Sequence, residues 1–132
     1  MIKLLDSTFL IDYLRGEQSA IAFAKRSQDR LATTEINVFE VVTGFHRHRG
    51  ANARRSIEIA EDYFRTLSVF PLDHAPALLA ANIAGMLSKK GVPVDFADCL
   101  IAGIALQNGC EAIVTRNLKD FSKIPDLRVE PY

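Results

Sequence analysis

Several acidic residues of this sequence either follow directly after a short apolar segment or lie within a largely apolar one. Asp6 directly follows the short segment Ile2–Leu5, and Glu40 interrupts the stretch INVFEVV. Further along, Asp98 lies in DFADCLIAGIAL and Asp120 in AIVTRNLKDF. Carboxylates gathered at one site repel one another unless a cation neutralises them. Oxygen ligands suit Mg²⁺ or Mn²⁺, and such ions held by acids are standard in phosphodiester cleavage.

The first two carboxylates also have structural interpretations. Asp6 precedes a predicted helix and is equally suited to cap its N-terminus. Glu40 shares a helix face with Ile36 and Thr43 and is costly to bury there, but a glutamate at the edge of the core can extend to water. Taken singly, these residues leave both interpretations open.

Two aspartates stand at the start of an apolar helix. Asp95 and Asp98 occupy its N-cap and N3 positions, in an arrangement similar to a capping box. Capping accounts for Asp95, whereas the short Asp98 side chain reaches the cap backbone poorly. The polar segment 115–120, which follows another apolar run, has a solvated loop as its alternative interpretation.

The elements that must position these side chains alternate between strand and helix patterns. Strands are predicted at 2–5, 31–33, 68–72, 112–115 and 127–129. Helices are predicted at 8–14, 18–28, 34–48, 53–67, 73–90 and 95–108. This alternation predicts an α/β fold with a parallel sheet between helices. Because ligands bind beyond the carboxyl ends of parallel strands, Asp6 and segment 115–120 are expected at the same edge.

The composition is that of a folded chain. Hydrophobic residues make up 48%, and 16 Lys and Arg balance 16 Asp and Glu, without the basic excess typical of a duplex-DNA-binding protein. Cys99 and Cys110 are too few for a disulfide scaffold and are not spaced as in a zinc finger. The sequence predicts no signal peptide or membrane segment, so we expect a cytoplasmic protein with a single domain over 1–132.

Four segments, in order, resemble the PIN-domain ribonucleases, and among them most closely the VapC-type toxins of toxin–antitoxin pairs. They are LLDSTFLIDYL, INVFEVVTG, DFADCLIAGIALQNG and AIVTRNLKDF, so the likeness covers essentially the whole chain. The resemblance implies a PIN-like three-layer α/β/α sandwich with a small, mainly parallel sheet. It also implies an endoribonuclease that depends on Mg²⁺, with Mn²⁺ as an alternative.

The same resemblance assigns the catalytic and metal-binding set to Asp6, Glu40, Asp98 and Asp120. Many PIN proteins have an aspartate where this chain has Asn117, and Asn117 together with Asp120 is a form that VapC-like proteins use. The residues expected to contact substrate or support the acids are Ser7, Asp95, Thr115, Arg116 and Asn117. Of these, Ser7 is expected to orient Asp6 or a water, and Arg116 is placed to hold a phosphate.

The implied partners are an RNA substrate and a small VapB-type antitoxin that blocks the acidic pocket and alone contacts DNA. A homodimer is also implied. The apolar face of the predicted helix 53–67 is a candidate for contact with the antitoxin or with a second copy of the chain, and its alternative role is to pack in the core. The basic residues at 46–49, with Arg54 and Arg55, are candidates for binding RNA backbone. Cations near a helix C-terminus also complement its dipole, which favours a structural explanation for them.

Other functions remain as alternatives. One is a catalytically inert PIN-like binding module in a regulatory complex, against which the four intact acids argue. A haloacid-type phosphatase requires D-x-D after the first strand, where this chain has Asp6-Ser7-Thr8. A receiver domain requires paired acids there and a lysine after a late strand, which Arg116-Asn117 does not supply.

Overall fold

Five strands form one sheet in the computed structural model, which describes residues 1–132. In chain order they are β1 (Ile2–Leu5), β2 (Arg30–Thr34), β3 (Ser68–Phe70), β4 (Ala112–Val114) and β5 (Arg128–Glu130). Their order across the sheet is β3-β2-β1-β4-β5, and every pairing is parallel. The α/β prediction is confirmed, with a sheet that is entirely parallel.

Seven α-helices connect and cover these strands. They are α1 (Ser7–Leu14), α2 (Gln18–Arg26), α3 (Glu35–His48), α4 (Ala53–Phe64), α5 (His74–Lys89), α6 (Phe96–Gln107) and α7 (Leu118–Ser122). The helix predicted to reach Leu67 ends at Phe64, because the chain turns there and the Thr66 hydroxyl bonds the Tyr63 carbonyl at 2.7 Å. The short α7 lies in the segment whose alternative interpretation was a loop.

The sheet separates two apolar cores, because successive strand residues point to opposite faces. Leu4 and Ile113 belong to a core shared with α5, α6 and α7. Leu5 and Val114, next to them in the chain, belong to a second core shared with α1, α2, α3 and α4. All four side chains are fully buried, so the chain folds as the predicted three layers of helix, sheet and helix.

Side-chain caps begin two of the helices that carry acids. The Thr34 hydroxyl accepts a hydrogen bond from the Asn37 amide at the start of α3. The Asp95 carboxylate accepts one from the Asp98 amide at 3.1 Å at the start of α6, as predicted. Asp73 occupies the N-cap position of α5, but its side chain makes no capping hydrogen bond.

The strand order reverses between β1 and β4. From β1 the chain moves outward to β2 and β3, and it later returns to β4 on the other side of β1 and continues to β5. In a parallel sheet this point opens a crevice beyond the carboxyl ends of the two strands. Asp6 and Thr115 directly follow these strands, so the fold brings both to the crevice. None of the helices combines the length and apolar character needed to cross a membrane.

Candidate functional site

Asp6 lies just beyond β1 and is only 4% exposed. Its Oδ2 accepts hydrogen bonds from Thr115 Oγ1 at 2.8 Å and Thr8 Oγ1 at 3.4 Å, and its Oδ1 accepts one from Asn37 Nδ2 at 3.1 Å. Asp6 occupies the N-cap position of α1, but its side chain makes no capping hydrogen bond. These contacts turn the carboxylate toward β4 and α3 rather than along its own helix.

Asn37, which sequence reasoning missed, links Asp6 to α3. Its Nδ2 donates to Asp6 and also to Ser7 Oγ at 3.0 Å, while its Oδ1 accepts from Thr34 Oγ1 at 2.7 Å. The side chain is fully buried and every hydrogen-bonding atom of its amide is used. The available signal was an asparagine three residues before Glu40 in an apolar helix, because a buried amide requires partners.

Glu40 projects from α3 into the same region and is held by Ser7. The Ser7 hydroxyl donates to Glu40 Oε1 at 2.7 Å and accepts the bond from Asn37. The hydroxyl after the first acid thus orients Glu40, whereas the sequence predicted that it would orient Asp6 or a water. Glu40 is partly buried, as the alternative of a glutamate at the edge of the core requires, but one oxygen of its carboxylate is bound by Ser7.

Asp98 stands in the first turn of α6. Its backbone amide is occupied by the Asp95 cap, but its carboxylate accepts no hydrogen bond from the protein. The reciprocal half of a capping box is therefore absent, as expected for a side chain too short to reach back. The half-buried Asp98 carboxylate remains free to bind something else.

The segment after β4 supplies the fourth part of the site. Thr115 is fully buried, and its hydroxyl donates to Asp6 and accepts from the Asn117 amide at 2.9 Å. Asn117 and Asp120 are exposed at the start of α7. The Arg116 guanidinium forms an ion pair with Asp12, with Nη2 3.0 Å from Oδ1. Asp12 is a second buried acid that the sequence analysis did not select.

The carboxylates act on one another electrostatically. Burial, together with the neighbouring charges of Asp95, Asp6, Asp120 and Glu40, raises the pKa of Asp98 to about 7. Burial also raises the pKa of Glu40, with smaller contributions from Asp6 and Asp95, against the Ser7 hydrogen bond. These five residues (Asp6, Glu40, Asp95, Asp98 and Asp120) are called the acidic cluster below.

Burial raises the pKa of Asp6 as well. The Thr115 hydroxyl, the nearby amides of Ser7 and Thr8, and the Asn37 side chain oppose this shift, because each favours the ionised form. Asp6 is therefore the acid of the cluster with the most hydrogen-bond donors from the protein, whereas the Asp98 carboxylate has none. This difference makes Asp98 the acid whose charge most needs a counter-ion.

The donor chemistry of the acidic cluster fits a hard divalent cation. No lysine or arginine forms an ion pair with any of its members, although six other acidic residues of the chain are paired in this way. No three His, Cys, Asp or Glu side chains lie close enough together to hold one ion as they stand. Binding a single ion through several acids therefore requires side-chain rotation, which is open to Asp98 and Asp120 because no hydrogen bond or ion pair holds their carboxylates.

The other predicted contact surfaces have mixed outcomes. The apolar face of α4 serves mainly the core, since Ala53, Ala60 and Phe64 are buried. Arg54 and Arg55 are exposed and lie 3.5 Å and 3.8 Å from Glu58 oxygens.

Outside the acidic cluster, an apolar pocket of about 130 Å³ opens between α1, α3 and α4. Its lining is Ile11, Leu14, Arg15, Val41, Gly44, Phe45, His48, Arg49, Ser56 and Ile59.

Comparisons with known proteins agree with this architecture. The family model for the PIN domain matches residues 3–127. The tRNA(fMet)-specific endonuclease VapC of Salmonella typhimurium is 30% identical over 103 residues, which cover 78% of this chain and 76% of that protein. Ribonuclease VapC of Rickettsia bellii is 28% identical over 127 residues, covering 96% and 92%. The crystal structure of DNA-bound VapBC from Salmonella typhimurium superimposes with a TM-score of 0.85 at 26% identity, covering 99% of this chain and 98% of that one.

Proposed function

The chain belongs to the PIN domain family, and from that premise we propose that it is a divalent-metal-dependent endoribonuclease, the toxin of a toxin–antitoxin pair, that hydrolyses RNA phosphodiester bonds. The observation that carries the proposal is the acidic cluster at the reversal of strand order, with no basic side chain paired to it. VapC relatives named as ribonucleases support the same activity. A single domain spans 1–132 in this proposal.

The residues that would hold the cation are Asp6, Asp98, Glu40 and Asp120. When bound there, Mg²⁺ or Mn²⁺ would supply Lewis-acid chemistry for hydrolysis of the phosphodiester. Asp6 and Asp98 are the main ligands in this assignment. Thr115 and Asn37 fix the carboxylate of Asp6, whereas the carboxylate of Asp98 has no partner in the protein. Glu40 and Asp120 complete the set.

The surrounding residues hold this arrangement in place. Thr115 and Asn37 each donate to a different oxygen of Asp6, so the carboxylate is fixed in rotation. Ser7 fixes Glu40, and Asp95 fixes the first turn of α6 that carries Asp98. Asp6 and Glu40 are thus oriented by hydrogen bonds, whereas Asp98 and Asp120 have to rotate to reach an ion bound beside them.

Cleavage of RNA by purified, antitoxin-free protein tests the proposal. A panel of tRNA and structured RNA is incubated with Mg²⁺, Mn²⁺ or EDTA, with Asp6→Asn and Asp98→Asn compared with Asp62→Asn, which alters an exposed acid outside the cluster. We expect discrete, metal-dependent cleavage that both cluster variants lose and Asp62→Asn keeps. Equal cleavage by all variants would indicate a contaminating nuclease. A folded wild type that binds metal but cleaves no RNA would favour the inert binding module.

The proposed protein partner is a VapB-type antitoxin. The related Salmonella structure is a VapBC complex bound to DNA, and in this proposal DNA contact belongs to the antitoxin. The apolar pocket between α1, α3 and α4, with Arg15, His48 and Arg49 among its lining residues, suits an amphipathic segment that carries acidic residues. An RNA substrate and such a partner agree with the cytoplasmic location expected from the sequence.

Co-purification tests the antitoxin proposal. A tagged candidate VapB-type antitoxin is co-expressed with Asp6→Asn as the non-toxic reference and with Asp6→Asn/Ile59→Glu. Ile59 is 45% exposed and lines the pocket. We expect the added glutamate to reduce recovery of the complex. Full recovery would place the antitoxin elsewhere.

A homodimer is also proposed, through large apolar side chains that the monomer leaves in water. Phe39, Leu78 and Phe96 are 69%, 61% and 72% exposed, on α3, α5 and α6. Exposed apolar side chains in neighbouring elements are typical of protein contact surfaces. Light scattering should give a dimer mass for the wild type and a monomer mass for Phe39→Ser/Phe96→Ser, whereas a monomeric wild type would contradict the proposal.

A further inference from the structure

Asp12 is a buried carboxylate with two different partners. It is 4% exposed, and its Oδ2 accepts a hydrogen bond from the Tyr132 hydroxyl at 2.5 Å. Its Oδ1 lies 3.0 Å from Arg116 Nη2. The Tyr132 ring packs edge-on against Phe9 with centroids 4.8 Å apart, and this packing fixes the position of the hydroxyl. Burial, helped by the hydrogen bond to Asp12, raises the pKa of Tyr132 to about 12, so the hydroxyl stays a donor at neutral pH.

Arg116 is held from two sides by this arrangement. Its guanidinium is bound by Asp12, and its backbone amide donates to Thr8 Oγ1 at 3.0 Å. Thr8 in turn lies 3.2 Å from Thr115 Oγ1, and Thr115 donates to Asp6. A continuous set of contacts therefore links Arg116 to the first acid of the acidic cluster. The backbone of Arg116 is thus tied to Asp6, and its guanidinium is held by the contact with Asp12.

The Arg116 side chain is nonetheless 59% exposed. An arginine presents five N–H donors in a plane, and the contact with Asp12 uses one edge of that plane at most. The remaining donors are open to solvent, on a residue whose backbone is linked through Thr8 and Thr115 to Asp6. If the arginine served only to neutralise Asp12, an apolar residue at position 12 would stabilise the fold as well, since buried ion pairs add little net stability.

We propose that Asp12 and Tyr132 are positioning residues that hold Arg116 so that its free guanidinium donors bind an RNA phosphate next to the acidic cluster. This inference rests on the proposed function. It explains why a carboxylate is buried at position 12 despite the cost of desolvation, because its charge prevents Arg116 from turning across to the acids of the cluster. A planar guanidinium matches a phosphate with two parallel hydrogen bonds, which a lysine does not reproduce.

RNA binding tests the proposal without needing cleavage. Fluorescein-labelled tRNA is titrated with each protein in EDTA, and the dissociation constant is measured by anisotropy at several salt concentrations. Arg116→Ala is expected to weaken binding about three- to tenfold and to reduce the salt slope by roughly 0.7, the value for one phosphate contact on a single strand. Arg116→Lys is expected to restore the salt slope but only part of the affinity. Arg65→Ala, which removes an exposed arginine paired with Asp62, is the matched control and should change neither.

A double-mutant cycle then tests the role of Asp12 and Tyr132. Asp12→Asn and Tyr132→Phe should weaken tRNA binding when Arg116 is present and should have no further effect in the Arg116→Ala protein. Tyr132→Phe keeps the ring on Phe9 and so keeps the fold even if Asp12→Asn does not. In metal-containing cleavage assays the same variants should raise KM for tRNA more than they lower kcat.

Two results would overturn the inference while leaving the proposed function intact. One is an Arg116→Ala protein that binds tRNA as tightly as a wild type that itself binds and cleaves. The other is an equal loss of binding on Tyr132→Phe with and without Arg116, since that shows an effect on the fold and not on the arginine. A wild type that neither binds nor cleaves RNA would instead contradict the proposed function.

Discussion

At the scale of single residues, the acids themselves were accessible from the sequence but their supports were not. Asp6, Glu40 and Asp98 attract attention because carboxylates are expensive in apolar surroundings. Asn37 does not, because an asparagine in a helix is ordinary until the turn from β2 into α3 places it beside Asp6. Asp12 drew no functional interpretation from the sequence, because its partners Arg116 and Tyr132 come from the segments after β4 and β5.

Asn37 is predicted to matter for both stability and activity. Asn37→Ala removes two donors and leaves an oxygen of the buried Asp6 without its partner, so the free energy of unfolding should fall by about 1–3 kcal/mol. RNA cleavage should fall about tenfold or more, because Asp6 and Ser7 are then free to turn. Urea unfolding and initial cleavage rates measure the two effects.

Asn108→Ala is the control for this prediction. The Asn108 Nδ2 donates to the Ile104 carbonyl at 2.8 Å at the end of α6, where the acidic cluster is not involved. This variant should lose some stability and keep its activity. If Asn37→Ala behaves in the same way as Asn108→Ala, the claim that Asn37 positions Asp6 is wrong.

At the scale of elements, strands and helices were predicted from periodicity, and their ends were not. Leu67 continues the apolar pattern of α4 and was therefore included in it, although the chain has already turned. The five residues of α7 are too few to show a helical period. How closely α6 approaches α5 is also invisible in a sequence, yet it sets the position of Asp98.

Gly103 is predicted to control that approach. A Cβ atom there would lie 2.7 Å from the Pro76 carbonyl oxygen and 2.9 Å from both N and Cβ of Ala80, none of which can move without shifting α5. Gly103→Ala should therefore lower the free energy of unfolding by about 1–3 kcal/mol through overpacking. Thermal or urea unfolding measures this change.

Gly85→Ala is the matched control, on the facing helix. No heavy atom lies within 4 Å of a Cβ built at Gly85. The same substitution there should raise stability by about 0.5–1 kcal/mol, because alanine is the better helix former. A stabilising Gly103→Ala would show that the two helices have room to separate.

At the scale of the whole molecule, a formal charge of zero conceals an uneven distribution. The acidic cluster lies where β1 and β4 separate, whereas Arg54, Arg55 and Arg65 are on the exposed surface of α4 and the turn after it. Local sequence predicts the strands but not their order, so the rule for parallel sheets placed Asp6 and Thr115 at the same edge without showing that their strands are neighbours. The reversal of strand order supplies the physical reason that they meet.

The metal-free protein is predicted to lose stability as the pH rises. Folding raises the pKa of Asp98 from 3.8 to about 7, so the folded state binds the proton more tightly than the unfolded state does. The stabilisation is therefore full below about pH 4 and is lost as the pH rises through 7, the reverse of a salt-bridged aspartate. Asp6 and Glu40 shift in the same direction.

Melting temperatures in EDTA between pH 5 and pH 8 measure this effect. Asp98→Asn should weaken the dependence on pH and raise the melting temperature at pH 8 by roughly 2–5 °C. Asp62→Asn, which changes an exposed acid outside the cluster, should keep the wild-type dependence. An unchanged pH dependence in Asp98→Asn would mean that the carboxylate is not destabilised by its neighbours.

The most direct test of the central claim is the binding of Mn²⁺ to the metal-free protein, measured by calorimetry at pH 7.5. The acidic cluster should give saturable binding that Asp6→Asn and Asp98→Asn each weaken about tenfold or more, while Asp62→Asn leaves it unchanged. Side chains must rotate to meet one ion, so binding should also strengthen as Asp98 loses its proton above pH 7. Mn²⁺ binding that is absent, or that survives both cluster variants, would contradict the assignment of this site as a metal-dependent nuclease centre.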